Sequence, residues 1–285
     1  TIVARGCCDE KGEPLSEGEA LARVNVIEQQ MEEALGKGLF PNWIGPQRFG
    51  AGRPVTSKVG RHVVEGDFKG AVMTYLGLAG VDEAPEADEF RTAIRDGMDF
   101  SSALSICPVR LGFEATMLSH LVDKPEDWIG AFCQLPRNLQ LMTVHALQSE
   151  IFNRALGMRL DSGLPLATPI EGDMVAPLDE RGSPNLERTV VTTSKTMRRI
   201  SRNCLLQRLV VVGTLPGNEI KLPQGKGGKI EAAVISAMGM DDIDWRVSEI
   251  ARLTTKGSRR ALVSSFTGLA VDTVPLAEGE SLSKR

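Results

Sequence analysis

The chain has 285 residues, with 33 Lys and Arg against 37 Asp and Glu and a formal net charge of −4. A hydrophobic share of 42% and a charged share of 25% exclude a disordered or fibrous chain, and the acidic balance excludes binding of nucleic acid through bulk positive charge. No apolar run approaches the ~18 residues of a membrane span and no leader-like segment opens the chain, so a cytoplasmic protein is expected.

In chain order, Thr1 to Cys7 reads as a strand. Ser16 with Glu19 three residues on forms a capping box for a helix from Glu17 to Leu35, whose Val24, Ile27, Met31, Ala34 and Leu35 make an apolar stripe expected to be core. Phe40 to Gly50 is a loop of interleaved glycine, proline, aromatic and large polar residues. Thr56 to Val64 and Asp67 to Tyr75 predict two short helices, the second capped by Asp67. Asp82 to Met98, Phe113 to Val122, Asp127 to Phe132 and Arg137 to Leu160 extend a helical layer, the last a long helix with Leu141, Val144, Leu147, Ile151, Ala155 and Met158 at helical spacing.

From Gly172 onward, short β-prone runs (Arg188 to Thr193, Leu205 to Val212) alternate with Gly/Pro punctuation and predict a small α/β subdomain. Gln224 to Lys229 is glycine-rich, but Ile230 and Glu231 follow the lysine, so the strand-GxxxxGK[ST]-helix frame of a phosphate loop is missing. Glu231 to Met238 reads as a helix, Asp241 to Ile250 as a turn or short helix around Trp245, and Arg259 to Val263 as a strand. No internal repeat is evident. The fold class expected is mixed α/β.

Five cysteines, Cys7, Cys8, Cys107, Cys133 and Cys204, show no CxxC pair, and His62, His120 and His145 are scattered. Unpaired thiols in a reducing compartment are expected, with neither a metal site nor Cys/His chemistry. Charge is uneven. Acidic residues crowd between 82 and 99, whereas Arg48, Arg53, Lys58, Arg61 and His62 form one basic cluster and Lys195, Arg198, Arg199, Arg202 and Arg208 another. RNA contact would have to use such local patches, although a solvated helix face explains Arg198, Arg199 and Arg202 equally well.

Asn42, Gln47 and Arg48 offer amides and a guanidinium in a stiff loop, with Trp43 and Phe49 available to stack. Such a set suits phosphate, ribose or base edges of RNA. A buried knot whose polar groups satisfy backbone is the other open reading.

Pro41-Asn42-Trp43-Ile44-Gly45-Pro46-Gln47-Arg48-Phe49-Gly50 resembles the Pro-Asn-Tyr/Phe-Phe-Gly-x-Gln-Arg-Phe-Gly hallmark of the TruD pseudouridine synthase family. Trp43 keeps a ring at the first central aromatic position and Ile44 loses it at the second. The likeness continues through Arg53-Pro54-Val55-Thr56, Val59-Gly60, Glu65-Gly66-Asp67-Phe68, Ala71-Val72, Leu135-Pro136-Arg137, the run Gln148 to Asn153, Gly172-Asp173 and Arg259 to Leu262, and it is closest to the archaeal branch.

The resemblance implies an isomerase that converts uridine to pseudouridine at tRNA position 13, with tRNA as partner and without metal or organic cofactor. It implies RNA-binding roles for Asn42, Gln47, Arg48, Phe49, Arg53, Gln148 and Asn153; for Gln148 and Asn153, amides that tie the loop to the helix are the equal alternative. The family's nucleophilic aspartate segment has no counterpart among these residues, so no catalytic residue is assigned and the chain alone is expected to make no pseudouridine. The organisation implied is an edge strand over 1–15, an insertion domain over 16–255 with a smaller module over 175–229, and a return strand over 256–285. On that organisation Thr1 to Cys7 and Ala261 to Val271 should lie side by side. An RNA-binding module without chemistry is the alternative function.

Overall fold

A computed structural model describes residues 7–81 and 83–272. The expected opening strand lies outside the described residues apart from Cys7, and so does its proximity to Ala261 to Val271. The segment from Glu278 to Arg285 is outside them as well.

The first helix, α1 (Glu17–Leu35), has the predicted bounds because its cap is reciprocal: the Glu19 N–H donates to Ser16 Oγ, and the Ser16 N–H donates to Glu19 Oε2 at 2.9 Å. Its apolar stripe is not core among the described residues. Only Leu35 is buried, and Ile27 is 52% exposed. Helical periodicity defines a face that favours burial, but α1 meets the rest of the described structure chiefly through its last turn and the short strand β1 (Leu39–Pro41).

A helical layer follows: α2 (Thr56–Val64), α3 (Phe68–Gly77), α4 (Pro85–Arg95), α5 (Phe100–Ile106), α6 (Gly112–Asp123), α7 (Trp128–Phe132) and α8 (Arg137–Asp161). The turn α5 was not legible as a helix in the sequence. Helices α2 and α8 approach so closely that a Cβ on Gly60 would sit 2.0 Å from the Thr143 carbonyl oxygen, which explains a glycine in mid-helix despite its cost there.

A local repeat, unseen in the sequence, organises this layer. His62 Nδ1 lies 2.9 Å from Asp67 Oδ2 while Asp67 Oδ1 accepts the Gly70 N–H at 2.8 Å. His120 Nε2 lies 2.8 Å from Asp127 Oδ2 while Asp127 Oδ1 accepts the Gly130 N–H, also at 2.8 Å. In both, an aspartate caps a helix through a glycine amide and uses its second oxygen to hold the preceding helix's histidine. A Cβ on Gly70 or Gly130 would collide with both partners. Phe68, directly after the first cap, and Phe132, at the end of the helix opened by the second, meet edge to face 5.6 Å apart at the ring centroids in the core.

The second layer is an antiparallel sheet ordered β3-β2-β4-β5, built from β2 (Met174–Pro177), β3 (Val190–Val191), β4 (Leu209–Leu215) and β5 (Ser258–Ala261). With the helical layer it makes the mixed α/β fold expected. Between β3 and β4 lies α9 (Met197–Leu205), so the run expected as a strand from Leu205 divides into a helix end and a strand beginning at Leu209. Gln207, at φ 52°, makes the left-handed turn between them. The strand expected over Arg188 to Thr193 shrinks to Val190–Val191. The last strand, β6 (Val263–Ser265), pairs antiparallel with β1, placing Pro41 opposite Val263.

The glycine-rich segment is the start of α10 (Gly225–Ala237), six residues earlier than the sequence suggests. Its glycines serve packing. A Cβ on Gly225 would lie 2.4 Å from the Glu171 carbonyl oxygen, and one on Gly227 2.3 Å from Asp173 Oδ1. Residue 229, the expected end of the smaller module, therefore falls inside α10, and β5 from outside that module completes its sheet.

Helix α8 is the spine shared by both layers. Val144, Leu147 and Ile151 belong to the apolar cluster of the helical layer, whereas Phe152 and Leu156 belong to that of the sheet. No described helix is long and apolar enough to cross a membrane.

Candidate functional site

The loop from Pro41 to Gly50 is fixed at three points. At its entrance the Asn42 N–H donates to the Leu262 carbonyl, Asn42 Nδ2 donates to the Ala261 carbonyl at 2.9 Å, and Arg260 Nη2 donates to Asn42 Oδ1 at 2.7 Å. In the middle, Asn153 on α8 brackets one residue: the Ile44 N–H donates to Asn153 Oδ1 at 2.9 Å and Asn153 Nδ2 donates to the Ile44 carbonyl at 2.8 Å. At the exit a single 3-10 turn, Pro46–Arg48, leads to Gly50 at φ 98°, where a Cβ would stand 2.3 Å from the Arg53 carbonyl oxygen. Proline fixes the entry to the turn and glycine permits its left-handed exit.

That bracing leaves Gln47 and Arg48 exposed at the tip, with no hydrogen bond or ion pair to another described side chain. Trp43 is 45% exposed and its ring lies over Gly157 of α8. Phe49, half-buried, lines an open groove of about 530 Å³ with Pro46, Pro54, Lys58, Val81 and Arg154.

The other residues singled out in the sequence face inward. Arg53 Nε donates to the Leu78 carbonyl at 2.7 Å, its Nη2 donates to the Tyr75 carbonyl, and its Nη1 lies 3.3 Å from Glu114 Oε1. Gln148 is buried and donates to the Pro216 carbonyl at 2.6 Å and to Thr255 Oγ1 at 2.9 Å, so it ties α8 to the sheet side rather than to the loop. Of the seven candidates the structure thus brings Asn42, Gln47, Arg48, Phe49 and Asn153 into one loop assembly. Arg53 sits beneath its exit, and Gln148 stands apart.

Two neighbours gave no signal as site residues in the sequence. Arg260 binds Asn42 and lies 5.7 Å from the Phe152 ring centroid. His145 is half-buried on α8; burial, with the Arg48 charge as a second cause, pushes its pKa below the ordinary imidazole value. Burial and the same Arg48 charge also lower Arg260. Arg48 and Arg260 thus make a positive spot beside His145, whose imidazole the same surroundings keep toward its neutral form, and the grouping is legible only once α8 and β5 are folded against the loop.

His145 provides a direct check on where Arg48 points. Removing the cation by Arg48→Ala is expected to raise the His145 titration midpoint, followed by NMR of the imidazole protons; an unchanged midpoint would mean that the guanidinium faces elsewhere. Because the folded state holds His145 below 6.5, the unfolded chain binds the proton first. Its contribution to stability is intact above that pH and falls as pH drops below it.

Residues 10–278 match the family model for tRNA pseudouridine synthase D (TruD). A protein of Methanosarcina mazei described as a probable tRNA pseudouridine synthase D is 36% identical over 238 residues, covering 84% of this chain and 54% of that protein. Similarly described proteins of Methanopyrus kandleri and Thermoplasma acidophilum are 32% and 34% identical, over 89% and 83% of this chain and 56% of each relative. The crystal structure of the putative TruD of Methanosarcina mazei superposes with a TM-score of 0.81 at 35% identity, covering 87% of this chain and 56% of that one. The chain spans a little over half the length of these relatives. With the family model covering nearly all of the described residues and the fold matching as closely as the sequence, the chain belongs to the TruD family of tRNA pseudouridine synthases.

Proposed function

We propose that this chain supplies the RNA-gripping part of a cytoplasmic enzyme that isomerises uridine to pseudouridine at position 13 of tRNA. The observation that carries this reading is the tip of the Pro41 to Gly50 loop, where Gln47 and Arg48 are exposed and unpartnered among the described residues while the loop's remaining amide side chain, Asn42, is spent on bracing it. A stiff loop that holds two free donors outward is suited to an anionic, hydrogen-bonding partner. The target uridine must leave the helical stack before its base can be detached and turned, so the RNA has to be held in a distorted form. Arg48 would neutralise a phosphate, Gln47 would bond ribose or base, and Trp43 and Phe49 present rings against which an extruded base can rest.

Asn42, Asn153, Arg53 and Gln148 take supporting roles in this reading, because their side chains are already satisfied within the protein. The bond-breaking step belongs to the family's nucleophilic aspartate segment, which has no counterpart among these residues. The insertion-domain organisation over 16–255 is part of the same proposal.

Arg48→Ala is the test. It should weaken binding of an unmodified tRNA transcript and lower the slope of log affinity against log salt by about one unit, with the melting temperature unchanged. Arg48→Lys should restore the slope and part of the affinity, because a point charge replaces a bidentate fork. A large drop in melting temperature with an unchanged slope would make Arg48 a brace of the loop instead. The alternative, an RNA-binding module without chemistry, predicts tRNA binding with no pseudouridine formed even when the family's aspartate segment is joined to this chain.

A further inference from the structure

Within an acidic chain, the segment over 175–229 is basic: ten lysines and arginines stand against four carboxylates. The excess is concentrated on α9. Arg198, Arg199 and Arg202 occupy i, i+1 and i+4 of that helix, Lys195 lies just ahead of its first residue Met197, and all four residues are exposed. None forms an ion pair among the described residues, and α9 contains no acidic residue.

That placement runs against what stability alone would select. The first turn of a helix favours negative charge, and α1 and α4 obey this with Glu17 and Glu19, and with Glu86 and Asp88. Helix α9 puts Arg198 and Arg199 there instead, and no side chain caps its N-terminus. Two other helical arginines are paired with a carboxylate one turn away, Arg61 with Glu65 at 2.8 Å and Arg154 with Glu150. On α9 the partial positive charge of the helix end and unpaired guanidinium groups reinforce one another.

The helix is also held rigidly. Ile200 and Cys204 are buried in the sheet's apolar cluster. The segment leading into it is fixed by the Gly172 N–H on the Thr192 carbonyl and the Thr192 N–H on the Asp173 carbonyl, both 2.8 Å, and by the Ser194 N–H on Glu171 Oε1 at 3.1 Å. Cys204 at its far end and Gln207 just beyond it line a cleft of about 310 Å³ that is also lined by Asn42, at the entrance of the braced loop, and by Arg260 on β5. The cleft thus brings the end of α9 and the entrance of the braced loop to one surface feature.

We infer that the exposed face of α9, formed by Arg198, Arg199 and Arg202, is a second docking site for the phosphate backbone of the tRNA substrate, in addition to the Arg48 loop. The inference rests on the proposed tRNA-binding function. The contact is electrostatic and carries no sequence information, which suits a surface that positions a folded RNA while another part of the enzyme selects the base.

The test compares the 285-residue chain with the triple variant Arg198→Ala, Arg199→Ala, Arg202→Ala, using a labelled unmodified tRNA transcript across a salt series. The variant should melt as the parent does and bind at least about tenfold more weakly at low salt, with a salt slope smaller by about 2 to 3. The corresponding triple Arg→Lys change should keep the slope. Removing three cations from the helical layer instead, by Arg110→Ala, Lys124→Ala and Arg137→Ala, should leave the slope within about half a unit of the parent.

An unchanged slope in the α9 variant, or an equal loss in the control, would overturn the inference while leaving tRNA binding by the chain intact. A parent chain that binds no tRNA at low salt would overturn the functional reading and this site with it. Loss of binding to phosphatidylserine-containing vesicles with tRNA binding unaffected would assign the face to a membrane surface and also overturn it.

Discussion

Replacing Glu114 by glutamine is expected to remove roughly 3–5 kcal/mol of folding stability, because it strands buried arginine charge. Glu114 Oε1 lies 3.0 Å from Arg91 Nη2 and 3.3 Å from Arg53 Nη1, with the Arg91 and Glu114 side chains only 1% and 5% exposed. Arg91 Nε also meets Glu83 Oε2 at 2.6 Å, and its Nη1 donates to the Leu76 carbonyl at 2.8 Å. The cluster joins α3, α4 and α6 with the turn that closes the Pro41 to Gly50 loop. Glutamine keeps the volume and removes the charge, so two guanidinium groups would share one remaining carboxylate.

The loss should appear in urea unfolding as a lower midpoint with the m-value unchanged, and as a melting temperature lower by on the order of 10 °C. Acid should act on the same cluster. Burial alone would raise Glu83, but its hydrogen bonds with Arg91 and Gly80 more than offset this and hold its pKa below the ordinary value of 4.5. Its contribution is present above that pH and is lost as pH falls further. A change under about 1 kcal/mol in Glu114→Gln would mean that solvent reaches Arg91 and that the cluster is not a sealed network.

Much of the fold was legible because its signals are local. The capping box of Ser16 and Glu19 set the start of α1, and the three-and-four spacing from Leu141 to Met158 set α8. What stayed hidden depends on contacts distant in sequence. The fate of the α1 stripe depends on which surface covers it, and the end of α9 merged with the following strand because Leu205-Leu206 and Leu209 to Val212 are apolar stretches parted only by Gln207-Arg208, where the turn lies. The start of α10 was obscured because glycines required by Glu171 and Asp173 look like a loop when those neighbours are not in view.

The candidate site divides the same way. The decamer's chemistry was visible, but not which of its polar groups are free, since Asn42 finds its partners in Arg260 and Ala261, and Asn153 binds Ile44 across more than a hundred residues of chain. The chain chose satisfaction for Asn42, Asn153, Arg53 and Gln148, and left Gln47 and Arg48 outward. Helix periodicity did place Arg198, Arg199 and Arg202 together, but their lack of acidic partners is a property of the folded surface.

The sheet layer should respond to Asp173→Asn as strongly as the helical layer does to Glu114→Gln. Asp173 pairs with Arg159 of α8 through two bonds, Nη1 to Oδ1 at 2.9 Å and Nη2 to Oδ2 at 2.6 Å, with both side chains nearly inaccessible. Its Oδ2 also accepts the Ile170 N–H at 2.9 Å, and its Oδ1 faces the Gly227 α-carbon so closely that no side chain fits there. Asparagine offers one acceptor and one donor where two acceptors are needed, leaving Arg159 buried and partly unpaired at a cost of about 3–5 kcal/mol. Because Glu114 and Asp173 share no partner, the two losses should add in the double variant. Unfolding should nevertheless remain a single transition, since α8 carries Ile151 into one apolar cluster and Phe152 into the other. Far-ultraviolet circular dichroism and tryptophan fluorescence recorded on the same urea series decide this. Coincident curves with a lowered midpoint are expected; an early fluorescence-silent loss of secondary structure in Asp173→Asn would show that the sheet layer unfolds on its own. The substitution also loosens the pairing of Asp173 with Thr192 just ahead of α9. On the proposed function, tRNA affinity should therefore fall in Asp173→Asn even under conditions where the protein stays folded, whereas Glu114→Gln should not disturb the α9 contribution.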